Sequence, residues 1–262
     1  MTALRSYTPP MPHFDNANIL ITGAASGIGA AVATRLAGAA KKLILFDRDE
    51  DKLRDFGFSL PCERQMMIGD VADEAMWDAA DLTGLTHAVV NAGIGAGGPI
   101  EQLDFAEWRR VMAVNLDGAF LTLRAAMRAI RAGGGGGAIV LTASVAGVKA
   151  EVGIAAYGAS KAAIIHLARI AAKEGADAGI RVNAIAPGGV ETPIWTGLPF
   201  FQELVETKGG EAEAFAAMAA MATPLGRYAR PEEIAAQIAF LLSDEAAYMT
   251  GACLVSDGGY SL

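Results

Sequence analysis

Seven short apolar runs punctuate the chain, at 18–22, 41–46, 65–68, 86–90, 138–142, 180–185 and 252–255. Runs this short, bounded by turn residues, read as strands buried on both faces of a sheet. Between them the apolar residues recur every three or four positions, the helical period. The clearest such stretch runs from Asp104 to Arg131, with Trp108, Val111, Met112, Asn115, Leu116, Phe120, Leu123 and Met127 along one stripe. Residues 30–40, 157–171 and 231–243 are also helical in pattern, the last opened by Pro231 with Glu232 and Glu233 in its first turn. Strands that alternate with helices predict an α/β fold with a mostly parallel sheet, right-handed crossovers and helices on both faces.

The alternation fails in two places. Residues 1–15 carry three prolines and no apolar run, and read as an N-terminal arm. Residues 192–223 are rich in Ala, Met and Phe without a clean strand, which suits a helical lid over a site. No repeat, linker or change of composition divides residues 16–262, so they are expected to form one domain. Five consecutive glycines, 133–137, read as a loop tip away from the chemistry.

Composition narrows the function classes. A net charge of -8 argues against nucleic acid and against an anionic membrane surface as partners. No apolar run is long enough to span a bilayer. Cys62 and Cys253 are far apart and outside any CxxC pattern, which reads as two free thiols in a reducing cytoplasm. His13, His87 and His166 are scattered without metal-ligand spacing, so no metal is expected.

The first candidate site lies between the first strand and the first helix. Gly23-x-x-x-Gly27-x-Gly29 follows the strand directly and includes Ser26 and Ile28. Strand, glycine turn and helix together present backbone N–H groups and a helix N-terminus to a pyrophosphate, although a plain tight turn has the same residues. Asp47 ends the second strand 18 residues after Gly29. An acid about 20 residues beyond such a loop accepts hydrogen bonds from the adenosine ribose and repels a 2′-phosphate, which favours NAD over NADP. The adjacent Arg48 is the ambiguous residue, since a guanidinium there could meet a phosphate. Asp47 could also cap the helix that follows. Asp70 stands either at an adenine or at another helix cap. Asn115 falls on an apolar stripe, where a satisfied core asparagine is the plain alternative.

The second candidate site is the stretch from Ser144 to Lys161. Ser144 sits at the mouth of the fifth strand. Tyr157 and Lys161 are four apart, so on a helix they share one face. A held ammonium beside a phenol favours the phenolate and lowers its pKa, making a device that passes a proton to or from an alcohol oxygen. The helix carrying them is apolar around most of its circumference, which calls for a second subunit to cover its outer face, and His166 reads as a packed or interface residue.

Taken in order, Thr22-Gly23-x-x-x-Gly27-x-Gly29, Asp70-Val71, Asn91-Ala92-Gly93, Asn115, Ser144, Tyr157-x-x-x-Lys161, Asn183, Pro187-Gly188, Thr192 and Asp257-Gly-Gly259 resemble the short-chain dehydrogenase/reductase family over residues 18–262. The resemblance implies a doubly wound, seven-stranded Rossmann-type domain. It implies that Tyr157 is the general acid/base and that Lys161 lowers its pKa and binds the nicotinamide ribose. Ser144 would hold the substrate oxygen, and Asn115 would anchor a water linking Lys161 to solvent. The glycine loop, Asp47, Arg48, Asp70, Val71, Asn91, Ala92, Gly93, Pro187, Gly188, Val190 and Thr192 would line the cofactor. A homotetramer is implied as well. Two features depart from the family: the segment between Asp70 and Asn91 is short, so its helix should be trimmed, and the N-terminal arm is long.

The expected reaction is reversible hydride transfer between NAD(H) and a secondary alcohol/ketone pair, taken from a small-molecule substrate. Val145, Val152 and Trp195 are expected to join Ser144 and Tyr157 around an apolar substrate, while Lys149 and Glu151 are expected to face solvent. Two other readings compete: an NADPH-dependent ketoacyl-type reductase, and a non-catalytic NAD-binding module.

Overall fold

The structure, a computed structural model, describes residues 14–262. The expected arm of residues 1–15 therefore lies almost wholly outside the described residues. Its last two residues, Phe14 and Asp15, belong to the first strand instead.

Seven strands form one parallel sheet in the order β3-β2-β1-β4-β5-β6-β7. They are β1 (Phe14–Thr22), β2 (Ala40–Asp47), β3 (Glu63–Ile68), β4 (His87–Val90), β5 (Gly137–Thr142), β6 (Ile180–Pro187) and β7 (Cys253–Ser256). The crossover elements are α1 (Gly27–Leu36), α2 (Glu50–Ser59), α3 (Glu74–Ala79), α4 (Phe105–Met112), α5 (Gly118–Gly133), α6 (Ala155–Gly175) and α9 (Pro231–Leu242). Two further helices, α7 (Pro199–Lys208) and α8 (Glu211–Ala222), interrupt the path from β6 to α9. Among the described residues no helix is long and apolar enough to cross a membrane.

Side chains alternate across each strand, so consecutive residues enter different cores. Leu20, Ile44, Phe46, Val90 and Leu141 join α5 and α6 on one face of the sheet. Ile19, Ile21, Leu43, Leu45 and Val140 join α1 and α9 on the other. This two-sided burial explains why the strands read as unbroken apolar runs. A third cluster, away from the sheet, packs Phe201, Ala214 and Phe215 of α7 and α8 with Trp195, Leu198 and Tyr228.

The region between Asp70 and Asn91 is trimmed, as expected: α3 has six residues. It is nonetheless well anchored. Asp73 caps it, Trp77 stacks on Phe46 with ring centroids 4.9 Å apart, and the Trp77 indole donates to the Val71 carbonyl at 2.9 Å.

The long stripe from Asp104 to Arg131 is not one regular helix. A π-helical stretch, Ala113–Asp117, separates α4 from α5. Within the chain α6 buries one face only. Ser160, Lys161, Ile164, Ile165, Ala168 and Ala172 point inward, whereas Ala162, His166, Arg169 and Ile170 are exposed.

Candidate active site

The strand order reverses between β1 and β4, and a crevice opens there at the carboxyl ends of the strands. Thr22 and Asn91 lock its two sides together. The Thr22 hydroxyl accepts from the backbone N–H groups of Asn91 and Ala92, at 2.9 and 3.1 Å. The Asn91 amide donates back to the Thr22 carbonyl at 3.1 Å.

The glycine loop is packed too tightly for side chains. A Cβ on Gly29 would lie 2.0 Å from the Gly23 carbonyl oxygen, and Gly23 and Gly27 have φ of 66° and 53°. Ser26 precedes α1 with no side-chain cap bond, so the first N–H groups of the helix remain available to an anion. A plain turn needs neither the close Gly29–Gly23 approach nor an uncapped helix. The residues present therefore fit a dinucleotide pyrophosphate.

Asp47 reaches across to this loop. One carboxylate oxygen accepts from the Ala25 N–H at 3.0 Å and the other from the Asp49 N–H at 3.1 Å. The cap of α2 is Asp49, not Asp47. Arg48 is exposed beside it. Asp70 is exposed too and bonds the Ala72 N–H at 2.9 Å, leaving the helix-capping role to Asp73. Val71 is buried, and its side chain abuts Gly118.

On the opposite side of the crevice, Thr192 lies against Gly27, where an added Cβ would meet its side chain at 3.3 Å. Gly188 is held by its N–H donating to the Ser256 carbonyl at 2.9 Å. Val190 is buried, and its carbonyl accepts from the Trp195 indole at 2.8 Å. Pro187 to Thr192 thus run from the end of β6 back to the glycine loop.

The chemistry-bearing side chains converge beside Gly93. A Cβ there would stand 3.3 Å from both the Asn115 amide oxygen and the Lys161 Nζ. Lys161 is buried and donates to the Thr142 carbonyl at 2.9 Å. Its Nζ lies 5.7 Å from the centre of the Tyr157 ring. The Ser144 hydroxyl engages the Tyr157 phenol and accepts from the Ala146 N–H at 3.2 Å. Gly147 brings this loop onto α6, since a Cβ there would stand 2.6 Å from the Lys161 backbone. Sequence reading did not single out Gly147, because its requirement arises only when two distant segments meet.

Asn115 is fully satisfied. Its amide oxygen accepts from the Ile94 N–H at 2.8 Å, and its Nδ2 donates to the Ile94 carbonyl at 3.0 Å and to the Ser160 hydroxyl at 3.2 Å. Ser160 in turn donates to the Tyr157 carbonyl at 2.7 Å. Asn115 ties the loop after β4 to the helix carrying Tyr157, and it does so from a π-helical turn, a local irregularity frequent at functional sites.

The electrostatics differ from expectation at one point. Burial pushes the Tyr157 pKa up, and the Ser144 hydrogen bond offsets this only in part. Burial also lowers Lys161 to about 8. The ammonium was expected to lower the phenol. Desolvation, which disfavours the charged form of each group, sets the direction of both shifts in the protein alone.

The residues expected around the substrate stand in different surroundings. Val145 is buried beside Ser144, but Val152 is 98% exposed. Trp195 stacks on Tyr228 at 5.8 Å, within the cluster under α7 and α8. Lys149 and Glu151 do not simply face solvent, because both contact Tyr260, which sequence reading passed over.

The chain resembles known proteins in sequence and in fold. Residues 23–261 match the family model described as enoyl-(acyl carrier protein) reductase. The chain is 41% identical over 251 residues to cis-4-hydroxycyclohexanecarboxylate dehydrogenase of Sinomonas cyclohexanicum, covering 92% of this chain and 95% of that one. It is 39% identical to the L-tagatose-forming galactitol 2-dehydrogenase of Cereibacter sphaeroides, covering 95% and 96%. The crystal structure of L-sorbose reductase from Gluconobacter frateurii, complexed with NADPH and L-sorbose, superposes with a TM-score of 0.87 at 29% identity over 96% of this chain and 98% of that one. The fold and the matched sequences define an oxidoreductase of alcohols and ketones. The chain belongs to the short-chain dehydrogenase/reductase family.

Proposed function

We propose that the protein catalyses reversible hydride transfer between NAD(H) and an apolar, ring-sized secondary alcohol or the corresponding ketone. The observation that carries this reading is the convergence of Ser144, Tyr157 and Lys161 beside Gly93 and Asn115, at the crevice where the strand order reverses. The 41% identity to a hydroxycyclohexanecarboxylate dehydrogenase supports a ring-sized alcohol.

Bound NAD supplies the hydride acceptor. The protein supplies position and proton transfer. Gly23, Ser26, Gly27, Ile28 and Gly29 cradle the pyrophosphate; Asp70, Val71, Asn91, Ala92 and Gly93 border the adenosine. Pro187, Gly188, Val190 and Thr192 flank the nicotinamide end. Ser144 donates to the substrate oxygen, and Tyr157 phenolate takes the hydroxyl proton in oxidation. Lys161 holds positive charge near that phenolate. Asn115 fixes the loop carrying Gly93 against α6 and borders the route by which Lys161 exchanges protons with solvent. Residues 192–223 act as a lid, with Trp195 packed on Tyr228 beneath it, over a pocket bordered by Val145 and Val152.

Asp47 favours NAD. A carboxylate has about four lone-pair sites, and two are taken by Ala25 and Asp49, so both ribose hydroxyls can still be received. The competing NADP reading rests on the exposed Arg48 and on a structural neighbour solved with NADPH. Asp47→Ala should cut the kcat/KM ratio of NAD over NADP by about tenfold or more, the worth of one or two charge-assisted hydrogen bonds. An unchanged ratio in steady-state assays would place the preference elsewhere.

The exposed outer face of α6, with Ile170 and with Phe120 of α5 nearby in the groove they line, supports a homo-oligomer, a tetramer by family resemblance. Light scattering should return a multiple of the 27.0 kDa chain, and a monodisperse monomer would end this reading. Two free cysteines among the described residues support a reducing, cytoplasmic location, which fractionation of the native cell would test.

A further inference from the structure

We infer that Lys149, Glu151 and Tyr260 form a second polar subsite at the mouth of the substrate cleft, built to receive one neutral hydroxyl, remote from the reacting carbinol, on an otherwise apolar substrate. The inference deepens the alcohol-dehydrogenase reading above and rests on it.

The placement follows from the chain. Lys149 stands one turn beyond Ser144, its N–H donating to the Val145 carbonyl at 2.8 Å. The C-terminal turn is brought to the same place from the far edge of the sheet. Asp257 abuts Gly188 and accepts from the N–H groups of Gly259 and Ser261, at 2.9 and 2.8 Å. Tyr228 lies against Gly189, stacks on Trp195, and is near enough to Tyr260 to act on its phenol. The serine loop, the end of β6, the segment carrying Trp195 and the C-terminus therefore meet in one place.

Within it the polar groups are held but not used up. Lys149 donates to the Tyr260 carbonyl at 3.0 Å, and its ammonium sits 4.3 Å above the Tyr260 ring. Glu151 is 3.6 Å from the ammonium, longer than the roughly 2.7–2.9 Å of a charge-assisted hydrogen bond. Two of the three ammonium protons are thus left for another acceptor. Glu151 also faces the Tyr260 phenol and, after burial, is the main cause that raises its pKa. The cluster pairs one positive with one negative group, both partly open to solvent.

These groups choose among substituents. A hydroxyl accepts from Lys149 and donates to Glu151 at once. A carboxylate satisfies Lys149 but meets the like charge of Glu151. A hydrogen satisfies neither and displaces their water without replacement.

The test compares cyclohexanol, cyclohexane-1,4-diol and 4-hydroxycyclohexanecarboxylate with NAD, in the wild type and in Lys149→Met, Glu151→Ala and Tyr260→Phe. The expected result is a kcat/KM about tenfold higher for the diol than for cyclohexanol in the wild type, the size of one net hydrogen bond to a charged group. That ratio should fall toward one in Lys149→Met and Glu151→Ala, and by less in Tyr260→Phe, which keeps the carbonyl and the ring. A purely structural role would lower both substrates alike and leave the ratio unchanged, overturning the inference. A wild-type preference for the carboxylate over the diol would overturn it too. Turnover of none of the three would count against the dehydrogenase reading itself. Calorimetric binding of the diol to the protein with NADH then reads the subsite separately: binding weakened by Lys149→Met upholds it, and no binding overturns it.

Discussion

Tyr157→Phe should reduce turnover of any accepted secondary alcohol by about 10²–10⁴-fold, the range a positioned general acid/base contributes, with NADH binding unchanged. The ring of Tyr157 keeps its place on α6 without the hydroxyl, because its backbone carbonyl is held by Ser160 and its packing by the helix. The lost atom is the one engaged by Ser144. Steady-state rates together with fluorescence titration of NADH separate the two effects. A variant of near-normal rate would take the phenol out of the reaction, and a variant that lost NADH affinity as well would mean that the substitution had disturbed the crevice. The raised pKa adds a sign. Phenolate is scarce at neutral pH in the protein alone, so alcohol oxidation should quicken as pH rises through neutrality, and Tyr157→Phe should abolish that rise.

Lys161→Met should also stop turnover, yet leave the protein at least as stable as the wild type at pH 7. The ammonium is buried, and its pKa falls from 10.5 to about 8. Below pH 8 the lysine is charged in both folded and unfolded chains, and the folded chain bears a penalty of about 3 kcal/mol at 1.36 kcal/mol per pKa unit. Methionine removes that penalty, although it leaves the Thr142 carbonyl without its donor, at a cost of about 1–3 kcal/mol. Between pH 8 and 10.5 the unfolded chain binds more protons than the folded one, so wild-type stability rises with pH. Any advantage of the variant should therefore shrink across that window. Thermal melts of both proteins from pH 7 to 10 check this. A large loss of Tm at pH 7 would mean that Lys161 is a net structural support and not a group held at some cost for the reaction.

Much of the architecture was legible because the strands are buried on both faces. Leu43, Ile44, Leu45 and Phe46 alternate between two cores, so each must be apolar, and the run declares itself. The helical period from Trp108 to Met127 was equally plain, but it could not reveal the π-helical turn at Ala113–Asp117. Asn115 shows the same limit from the other side. Its polarity on an apolar stripe marked it, and it is a satisfied buried asparagine whose partners, Ile94 and Ser160, lie on the two segments that frame Lys161.

Asp47 was placed correctly at the end of β2, but its bond to Ala25 depends on the parallel neighbour strand and on no local pattern. Val145 follows Ser144 on a tight turn and is buried beside it, whereas Val152, farther along an open loop, is exposed, a difference that no local pattern announces. Tyr228 and Tyr260 carried no local signal. Tyr260 reaches the cleft because β7 pairs with β6 and returns the C-terminus to the site, and Tyr228 because the neighbouring Ala229 N–H donates to the Gly189 carbonyl at 2.9 Å.

The central claim is that this crevice moves a hydride from a secondary alcohol to a nicotinamide. Incubating the purified protein with NAD and a cyclic secondary alcohol, and following the absorbance of the reduced nicotinamide, tests it most directly. The account predicts reduced cofactor in proportion to ketone formed, with wild type and not with Tyr157→Phe. No reduction of either NAD or NADP across cyclic, aromatic and aliphatic secondary alcohols, and no oxidation of NADH or NADPH by the matching ketones, would contradict it.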